Sequence, residues 1–146
     1  MKAHLTRRYR FSASHRLHSP ELSDEENRRT YGKCNNPYGH GHNYKLEVTV
    51  SGQPDPETGM VCNLADLDGF VERAIMPRFE FSNLNELDVF RNQVPTTENL
   101  SRSLFHLFRD NFRLATVEKI RIEETMMNSF EYAGDRDLGP MPSIMK

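Results

Sequence analysis

Residues 43–51 read NYKLEVTVS, and apolar side chains alternate with polar ones along the whole stretch. Strict alternation of this kind predicts a β-strand that buries one face and exposes the other. The buried face would consist of Tyr44, Leu46, Val48 and Val50. The residues just before this strand, 39–42, read GHGH, which places two histidines at its beginning. The fold and the candidate chemistry of the chain therefore meet at this strand.

Three further segments also predict strands. Apolar and polar residues alternate in Ala3–Ser14, upstream of residues 43–51. They also alternate near the other end of the chain, in Thr116–Thr125 and Ser129–Tyr132. Together with residues 43–51 they predict a four-stranded antiparallel sheet. The polar stretch 19–37, rich in Ser, Asp, Glu and Asn, is interpreted as a loop, with a helical turn over Asp24–Thr30 as the alternative.

Two apolar stripes at helical spacing predict helices between the second and third strands. Asn63 is a suitable N-cap for the first helix, and Pro77 is expected to end it. Thr96 or Thr97 is a suitable cap for the second helix, after an irregular stretch over residues 78–95. The chain order ββααββ predicts an α+β domain with both helices on one face of the sheet.

Composition limits the class of protein. The 146 residues include 19 Lys and Arg against 21 Asp and Glu, a formal net charge of −2, which excludes a polybasic nucleic-acid-binding protein as the default. No apolar run approaches the roughly 20 residues of a membrane helix, and no signal peptide is visible. We therefore expect no membrane association and a cytoplasmic protein whose Cys34 and Cys62 are reduced thiols. A single domain is expected over residues 1–133, with an extended or disordered tail over residues 134–146.

The histidines predict a metal site. His40 and His42 are two residues apart, so their side chains point the same way in extended backbone. His15, at the end of the first strand, comes close to both if the first two strands pair. Three histidines with one open position are typical of catalytic zinc sites, so Zn²⁺ is the predicted ion. Two alternatives remain open: histidines that only hydrogen-bond locally, and a closed structural site with Cys34 as the fourth ligand.

Six motifs in combination resemble one enzyme family. They are FSASHRL at 11–17, LSDEEN at 22–27, GKCNNPYGHGHNY at 32–44, GMVCNLADL at 59–67, PTTEN at 95–99 and EET at 123–125. Together they resemble the 6-pyruvoyl-tetrahydropterin and 6-carboxy-tetrahydropterin synthase family, and more closely the 6-pyruvoyl type. The resemblance extends from about Tyr9 to Tyr132 and so covers nearly the whole chain.

The resemblance implies a tunnelling-fold (T-fold) subunit, with trimers that form a twelve-stranded barrel and a homohexamer that is a dimer of trimers. It implies that zinc is held by His15, His40 and His42. The implied activity is that of a carbon–oxygen lyase that releases triphosphate from 7,8-dihydroneopterin triphosphate. Two alternatives stay open: a 6-carboxy-tetrahydropterin synthase of the queuosine (deazaguanine) pathway, and a diverged pterin-binding zinc protein with weak or no synthase activity.

The resemblance also assigns roles to individual residues. Cys34 corresponds to the general base, and a thiolate near a dication is able to take a proton. Glu124 corresponds to the carboxylate that grips the guanidine-like edge of the pterin through two hydrogen bonds. Strand alternation places its neighbour Glu123 on the opposite face. The segment that lines the pterin pocket corresponds to Thr96, Thr97 and Glu98, which suit a helix cap equally well.

One segment departs from the pattern of the family. The family carries an Asp-His pair after its first helix, and the aligned residues here are Glu80 and Phe81. Phenylalanine cannot carry a proton, so one acid–base group is missing. Glu80 is therefore a candidate catalytic base; the alternatives are a reaction that needs only Cys34 and zinc, or a different pterin substrate. Arg16 and Lys33 flank the metal motifs, where they either meet phosphates or are solvated.

Overall fold

The computed structural model describes residues 1–135 of the chain. Its strands and helices in chain order are β1 (Ala3–His15), α1 (Asp24–Tyr31), β2 (His40–Gly52), α2 (Leu64–Phe70), α3 (Met76–Phe79), β3 (Ser82–Asn83), α4 (Thr97–Asn111), β4 (Thr116–Thr125) and β5 (Asn128–Tyr132). Of the tail expected over residues 134–146, all but the first two residues lie outside the described part. No helix within residues 1–135 is long and apolar enough to cross a lipid bilayer.

The five strands form one mixed sheet in the order β3-β1-β2-β4-β5. β1 pairs antiparallel with β2 along its whole length, from Ala3 opposite Gly52 to His15 opposite His40. β3 pairs parallel with β1 through Ser82–Asn83. The α+β class is confirmed, whereas the prediction of a four-stranded, purely antiparallel sheet is wrong. β3 has only two residues, too few for alternation to reveal, and it lies in a stretch predicted to be irregular.

The helices also differ from the prediction of two. α1 lies in a segment interpreted as a loop, and a capping box between Ser23 and Glu26 begins it. Because α1 buries only Asn27, it has no apolar stripe from which periodicity would predict a helix. The next helix continues past Pro77, because a π-helical segment, Val71–Ile75, joins α2 to α3. Pro77 then lies in the first turn of α3, where a missing N–H is tolerated.

The core lies between one face of the sheet and the helices. α4 packs across β4 and β5, and α3 contacts β1. Leu100, Leu104 and Phe108 of α4 are fully buried, as their spacing of four residues predicts. On β2 the core face includes the fully buried Tyr44, two residues after His42. His42 therefore lies on the same face of β2 as the core, at the end of the sheet where β1 ends and β2 begins.

Candidate active site

Three histidines meet where β1 ends and β2 begins. The register of the two strands places His15 opposite His40, and His42 opposite Ala13. The centroids of the three imidazole rings lie 4.7 to 5.0 Å apart, and one ring nitrogen from each lies within 4.8 Å of the others. Within residues 1–135 this is the one group of three such side chains placed to hold a metal ion. The structure thus brings together the three residues predicted as ligands.

The ring of His15 is held in a fixed orientation. Its Nδ1 donates a hydrogen bond to the carbonyl oxygen of Pro95 at 2.9 Å, and only 1% of the residue is exposed. Metal-binding histidines commonly direct their second ring nitrogen to such an acceptor, which fixes the tautomer. Burial lowers the pKa of both His15 and His42. These imidazoles are therefore neutral near pH 7, which is the form that coordinates a cation.

His42 carries a polar atom that the fold leaves unsatisfied. Its Nε2 is buried and has no hydrogen-bond partner among the described residues. A buried polar atom without a partner costs about 1–3 kcal/mol, so its presence in a native fold calls for an explanation such as a bound ion. Three imidazole nitrogens suit Zn²⁺ and similar borderline-soft cations. The residues present therefore fit a metal ion at this point.

Gly39 allows the chain to enter β2 close to the end of β1. Its φ is +74°, in the left-handed region, and a Cβ at this position would lie 2.9 Å from the carbonyl oxygen of His15. Any other residue would meet this backbone atom and would also strain its own backbone. The glycine just before His40 therefore permits the close approach of the two strands that carry the histidines.

Glu124 of β4 extends the cluster. Thr97, at the beginning of α4 and only 2% exposed, donates a hydrogen bond from Oγ1 to the Glu124 carboxylate. Burial lowers the pKa of His42, and the nearby negative charge of Glu124 opposes that shift. Glu123, in contrast, forms an ion pair with Lys45 of β2 at 3.2 Å. The carboxylate next to the histidines is therefore that of Glu124.

Cys34 lies beside this cluster on a short 3₁₀-helix, Gly32–Asn35. The backbone N–H of Leu17 donates to the carbonyl oxygen of Cys34 at 2.8 Å, which ties this helix to the chain just after β1. Burial and, second, the charge of Glu124 raise the pKa of the Cys34 thiol. The thiol therefore needs a compensating positive charge before it ionises near pH 7. Cys62, the second cysteine, is a member of the hydrophobic core.

Glu80 and Phe81 both make hydrogen bonds to Ser12, near the end of β1, and not to Cys34. The Glu80 carboxylate accepts a hydrogen bond from the Ser12 N–H at 3.0 Å, and the Phe81 N–H donates to the Ser12 carbonyl oxygen at 2.6 Å. Phe81 has a φ of 56°, and 86% of it is exposed. Within residues 1–135 no hydrogen bond joins Glu80 to Cys34. The structure of the subunit thus ties Glu80 to Ser12, three residues before the end of β1, rather than to the thiol.

Two of the three residues predicted to line the pterin pocket belong to the beginning of α4. The side chain of Thr96 accepts a hydrogen bond from the Asn99 N–H at 3.2 Å and so caps the helix. Glu98 is exposed in the first turn. Thr97 is the one of the three that contacts Glu124.

Sequence patterns did not identify three residues that support the cluster. Pro95 accepts the hydrogen bond of His15, as described above. The buried amide of Asn35 donates to the Leu17 carbonyl oxygen at 2.7 Å. The amide of Asn85 brackets Arg16, accepting from its N–H at 2.7 Å and donating to its carbonyl oxygen at 2.8 Å. A backbone carbonyl has no residue-type signature, and a buried asparagine looks the same in sequence as a solvated one. Asn35 and Pro95 lie inside motifs that the resemblance rests on, whereas Asn85 lies in none of them.

Three kinds of functional group come together at the end of the sheet where β1 meets β2: imidazoles, a thiol and a carboxylate. The imidazoles offer lone pairs to a cation, and the thiol of Cys34 can give up and accept a proton. The Glu124 carboxylate is able to accept two parallel hydrogen bonds from a planar donor. Such a site is equipped to bind a planar, nitrogen-rich ring and to remove a proton from a group attached to it.

Comparisons of the sequence and of the structure with known proteins all lead to the same family. The family model described as 6-pyruvoyl tetrahydropterin synthase matches residues 4–135. The chain is 50% identical over 133 residues to the 6-pyruvoyl tetrahydrobiopterin synthase of Poecilia reticulata, a match that covers 90% of each chain. It is 47% identical over 135 residues to the Homo sapiens protein of the same name, over 92% of this chain and 93% of that one. The structure of the Caenorhabditis elegans 6-pyruvoyl tetrahydropterin synthase matches with a TM-score of 0.88 at 39% identity, over 92% of this chain and 97% of that one.

Proposed function

The chain belongs to the 6-pyruvoyl tetrahydropterin synthase family, and from that premise we propose that it is a zinc-dependent lyase acting on 7,8-dihydroneopterin triphosphate. The reaction releases triphosphate and rearranges the side chain of the pterin. The observation that carries the proposal is the meeting of three histidines with Glu124 and Cys34 at one end of the sheet. These are the groups that such a reaction needs: ligands, an anchor and a base.

His15, His40 and His42 would hold the zinc ion through one ring nitrogen each. When bound, zinc supplies Lewis-acid polarisation of the side-chain oxygens of the substrate, which acidifies the neighbouring C–H and O–H groups. The hydrogen bond from His15 to Pro95 keeps the ring of this ligand in place.

Glu124 is the proposed anchor of the pterin ring. Its carboxylate would accept two hydrogen bonds from the guanidine-like edge, and the Thr97 hydroxyl orients it from the helix side. Thr96 and Glu98 flank Thr97 in the chain, so their proposed part in the pocket is to keep this first turn of α4 in position. Anchoring the ring places the substrate side chain towards the histidines.

Cys34 is the proposed general base, which takes a proton from the side chain of the substrate. Its pKa is raised by burial and by Glu124, so it acts as a base only where a positive charge offsets that carboxylate. Glu80 is the second proposed acid–base group, at the position where the family has an acid. The neighbouring Phe81 cannot relay a proton, so the proposed relay lacks an imidazole.

The test of this function is the release of triphosphate by the zinc-loaded protein. We expect turnover by the wild type and a loss of at least about 100-fold in C34A, because general acid–base groups contribute about 10²–10⁴-fold. C34A is expected to keep its zinc. C62A is the matched control and is expected to retain turnover, since Cys62 lies in the core. No triphosphate release under conditions in which a known synthase works would contradict the proposal.

Phe81 specifically favours a second candidate function, a diverged pterin-binding zinc protein with weak or no synthase activity. The double variant E80D/F81H tests it, because it introduces the acid–histidine pair. A gain of about 10²-fold or more in turnover would indicate a weakened enzyme. Mass spectrometry of the product addresses the remaining alternative, since it distinguishes a 6-pyruvoyl from a 6-carboxy group.

We also propose that the protein acts as a homohexamer, a dimer of barrel-forming trimers, in the cytoplasm. The sheet supports this, because β5 is its last strand within residues 1–135 and pairing between subunits would cover the edge it presents there. Cys34 and Cys62 are both free, as is usual in a reducing compartment.

A further inference from the structure

Two cations that adjoin site residues in the chain have no acidic partner in the described part of the structure. Arg16 follows the ligand His15, and Lys33 precedes Cys34. Within residues 1–135 no carboxylate oxygen lies within 4 Å of either side chain, whereas several other cations of the fold are paired. Arg8, for example, binds Glu47 at 2.6 Å on the sheet. Positive charge without an ion-pair partner in residues 1–135 thus lies on the two residues that adjoin His15 and Cys34 in the chain.

Arg16 is held in position by neighbours that do not neutralise it. The amide of Asn85 bonds its backbone N–H and its carbonyl oxygen, at 2.7 and 2.8 Å. The Arg16 Nε donates to the carbonyl oxygen of Asn35 at 3.2 Å. Its two terminal nitrogens make no hydrogen bond within residues 1–135. The guanidinium is therefore oriented through Nε while its two terminal amino groups remain available.

The same short 3₁₀-helix positions the guanidinium and the thiol. Asn35 is 5% exposed, and its side chain donates to the Leu17 carbonyl oxygen at 2.7 Å. Leu17 in turn donates its N–H to the carbonyl oxygen of Cys34 at 2.8 Å. Arg16 and Cys34 are thus tied to one another through hydrogen bonds that centre on the buried Asn35.

Two other cations of this region differ from Arg16. Arg28 and Arg29 lie in the last turn of α1, each four residues after an acidic residue, Asp24 and Glu25. Opposite charges at this helical spacing attract each other and partly cancel at a distance. We therefore leave Arg28 and Arg29 out of the proposed site.

We propose that Arg16, supported by the charge of Lys33, binds the triphosphate tail of the substrate. The inference rests on the proposed function and deepens it by naming the residue that selects a polyphosphate ester. A guanidinium fork matches two phosphate oxygens, and charge-assisted hydrogen bonds are the stronger kind. In the elimination the base takes a proton, the C–O bond breaks, and its electron pair leaves with the triphosphate. A fixed positive charge beside that leaving group stabilises the charge it carries away.

The first test measures binding of sodium tripolyphosphate to the zinc-loaded protein by calorimetry. We expect R16Q to bind about 10- to 100-fold more weakly than wild type, as the loss of charge-assisted hydrogen bonds implies. K33Q is expected to lose only a few-fold, because an exposed lysine acts as a point charge. R113Q is the matched control. Arg113 is exposed and lies just after the C-terminal end of α4, a helix about 20 Å long whose N-terminal end adjoins the site. The R113Q variant should therefore bind tripolyphosphate as tightly as wild type does. Equal affinity of R16Q and wild type would overturn the proposal.

The second test separates phosphate binding from a structural role of Arg16. Affinity for phosphate-free 7,8-dihydroneopterin and zinc content after titration should be unchanged in R16Q, and R16K should recover part of the lost tripolyphosphate affinity. Loss of dihydroneopterin binding or of zinc in R16Q would show that Arg16 only supports the fold, and would overturn the proposal.

The two proposals can fail separately. Wild type that binds tripolyphosphate through Arg16 but releases no triphosphate from the substrate would contradict the lyase function and leave the anion site standing. Turnover together with an unaltered KM for the triphosphate substrate in R16Q would support the lyase and overturn the role of Arg16.

Discussion

The Nε2 atom of His42 is buried and has no hydrogen-bond partner within residues 1–135. We expect H42A to lose zinc, because two remaining imidazoles are too few for a stable site. Removal of a hydrogen-bond partner of a metal ligand typically lowers metal affinity about 10- to 100-fold. Removal of the ligand itself should cost more, so we expect zinc affinity to fall about 100-fold or more. Metal content per subunit after dialysis measures the effect.

H106A is the control for this prediction. His106 lies on α4 with its Nε2 3.6 Å from Asp135, outside the cluster. It should keep the zinc content of wild type. A fully loaded H42A would show that His42 is not a ligand.

Glu124 and Glu123 form a matched pair, since they are adjacent in the chain but differ in partner. We expect E124Q to weaken binding of 7,8-dihydroneopterin about 10- to 100-fold, because the charged acceptor of two hydrogen bonds is lost. E123Q removes only the ion pair with Lys45 and should bind as wild type does. Fluorescence titration measures both affinities, and equal weakening by the two variants would contradict the assignment.

Residue types and their spacing indicated the three histidines as a candidate metal site, because His40 and His42 share a face and β1 ends opposite them. Alternation placed Glu123 and Glu124 on opposite faces of their strand, but the resemblance of motifs, not the spacing, selected Glu124 as the anchor. The supporting groups were different. The contact of His15 with Pro95 joins residues 80 positions apart, and no local pattern encodes it.

Asp68 of α2 connects that helix to β1 by accepting hydrogen bonds from Arg7 and Tyr9. Arg7 donates two hydrogen bonds to the Asp68 carboxylate at 3.0 and 2.9 Å, and the Tyr9 hydroxyl donates a third at 2.7 Å. These bonds, from Arg7 first, hold the pKa of Asp68 below its ordinary value of 3.8. The contribution of Asp68 to stability is therefore complete above that ordinary value and is lost as the pH falls through the lower, folded-state pKa.

The variant D68N lacks this titration, so its disadvantage in stability relative to wild type should be constant above about pH 5 and should shrink below about pH 4. Denaturant midpoints measured from pH 7 to pH 3 give the difference. D66N, which changes an exposed acid in the first turn of the same helix, should track wild type throughout. A D68N deficit that stays constant down to pH 3 would be inconsistent with the assignment.

Elements with a strong apolar period could be predicted, and those held by polar contacts or short pairings could not. β2 and α4 show clear alternation and a clear helical stripe. α1 is held by its capping box and by Asn27, whose amide bonds the backbone of residues 19, 22 and 23. The helix that passes Pro77 depends on a π-helical segment, which no residue-type rule would have indicated.

At the scale of the whole molecule, we expect the zinc-loaded protein to have a mass of about 100 kDa, six copies of the 17.0 kDa chain. Light scattering coupled to size-exclusion chromatography measures this mass. Activity per subunit should fall on dilution, in step with the loss of the hexamer. A monomer of unchanged specific activity would contradict the assembly.

The expectation of a barrel came from the resemblance of motifs, since strand patterns give no information on what lies beyond a sheet edge. Length and composition limited the chain to a single domain with a modest core. They could not tell whether one subunit encloses its own pocket.

The backbone at Phe81 has a consequence for how this protein tolerates change. A φ of 56° is uncommon for an aromatic residue and much more common for Asn, Asp and His, while glycine adopts it freely. The Phe81 amide is fixed by Ser12, and its ring makes little contact within the subunit. A saturation library at position 81 scored for folding alone should therefore accept these residues and reject Val and Ile. Because the ring is exposed, exchange between histidine and phenylalanine here should leave the shape of the subunit unchanged, so that the chemistry of this position can vary independently of the fold.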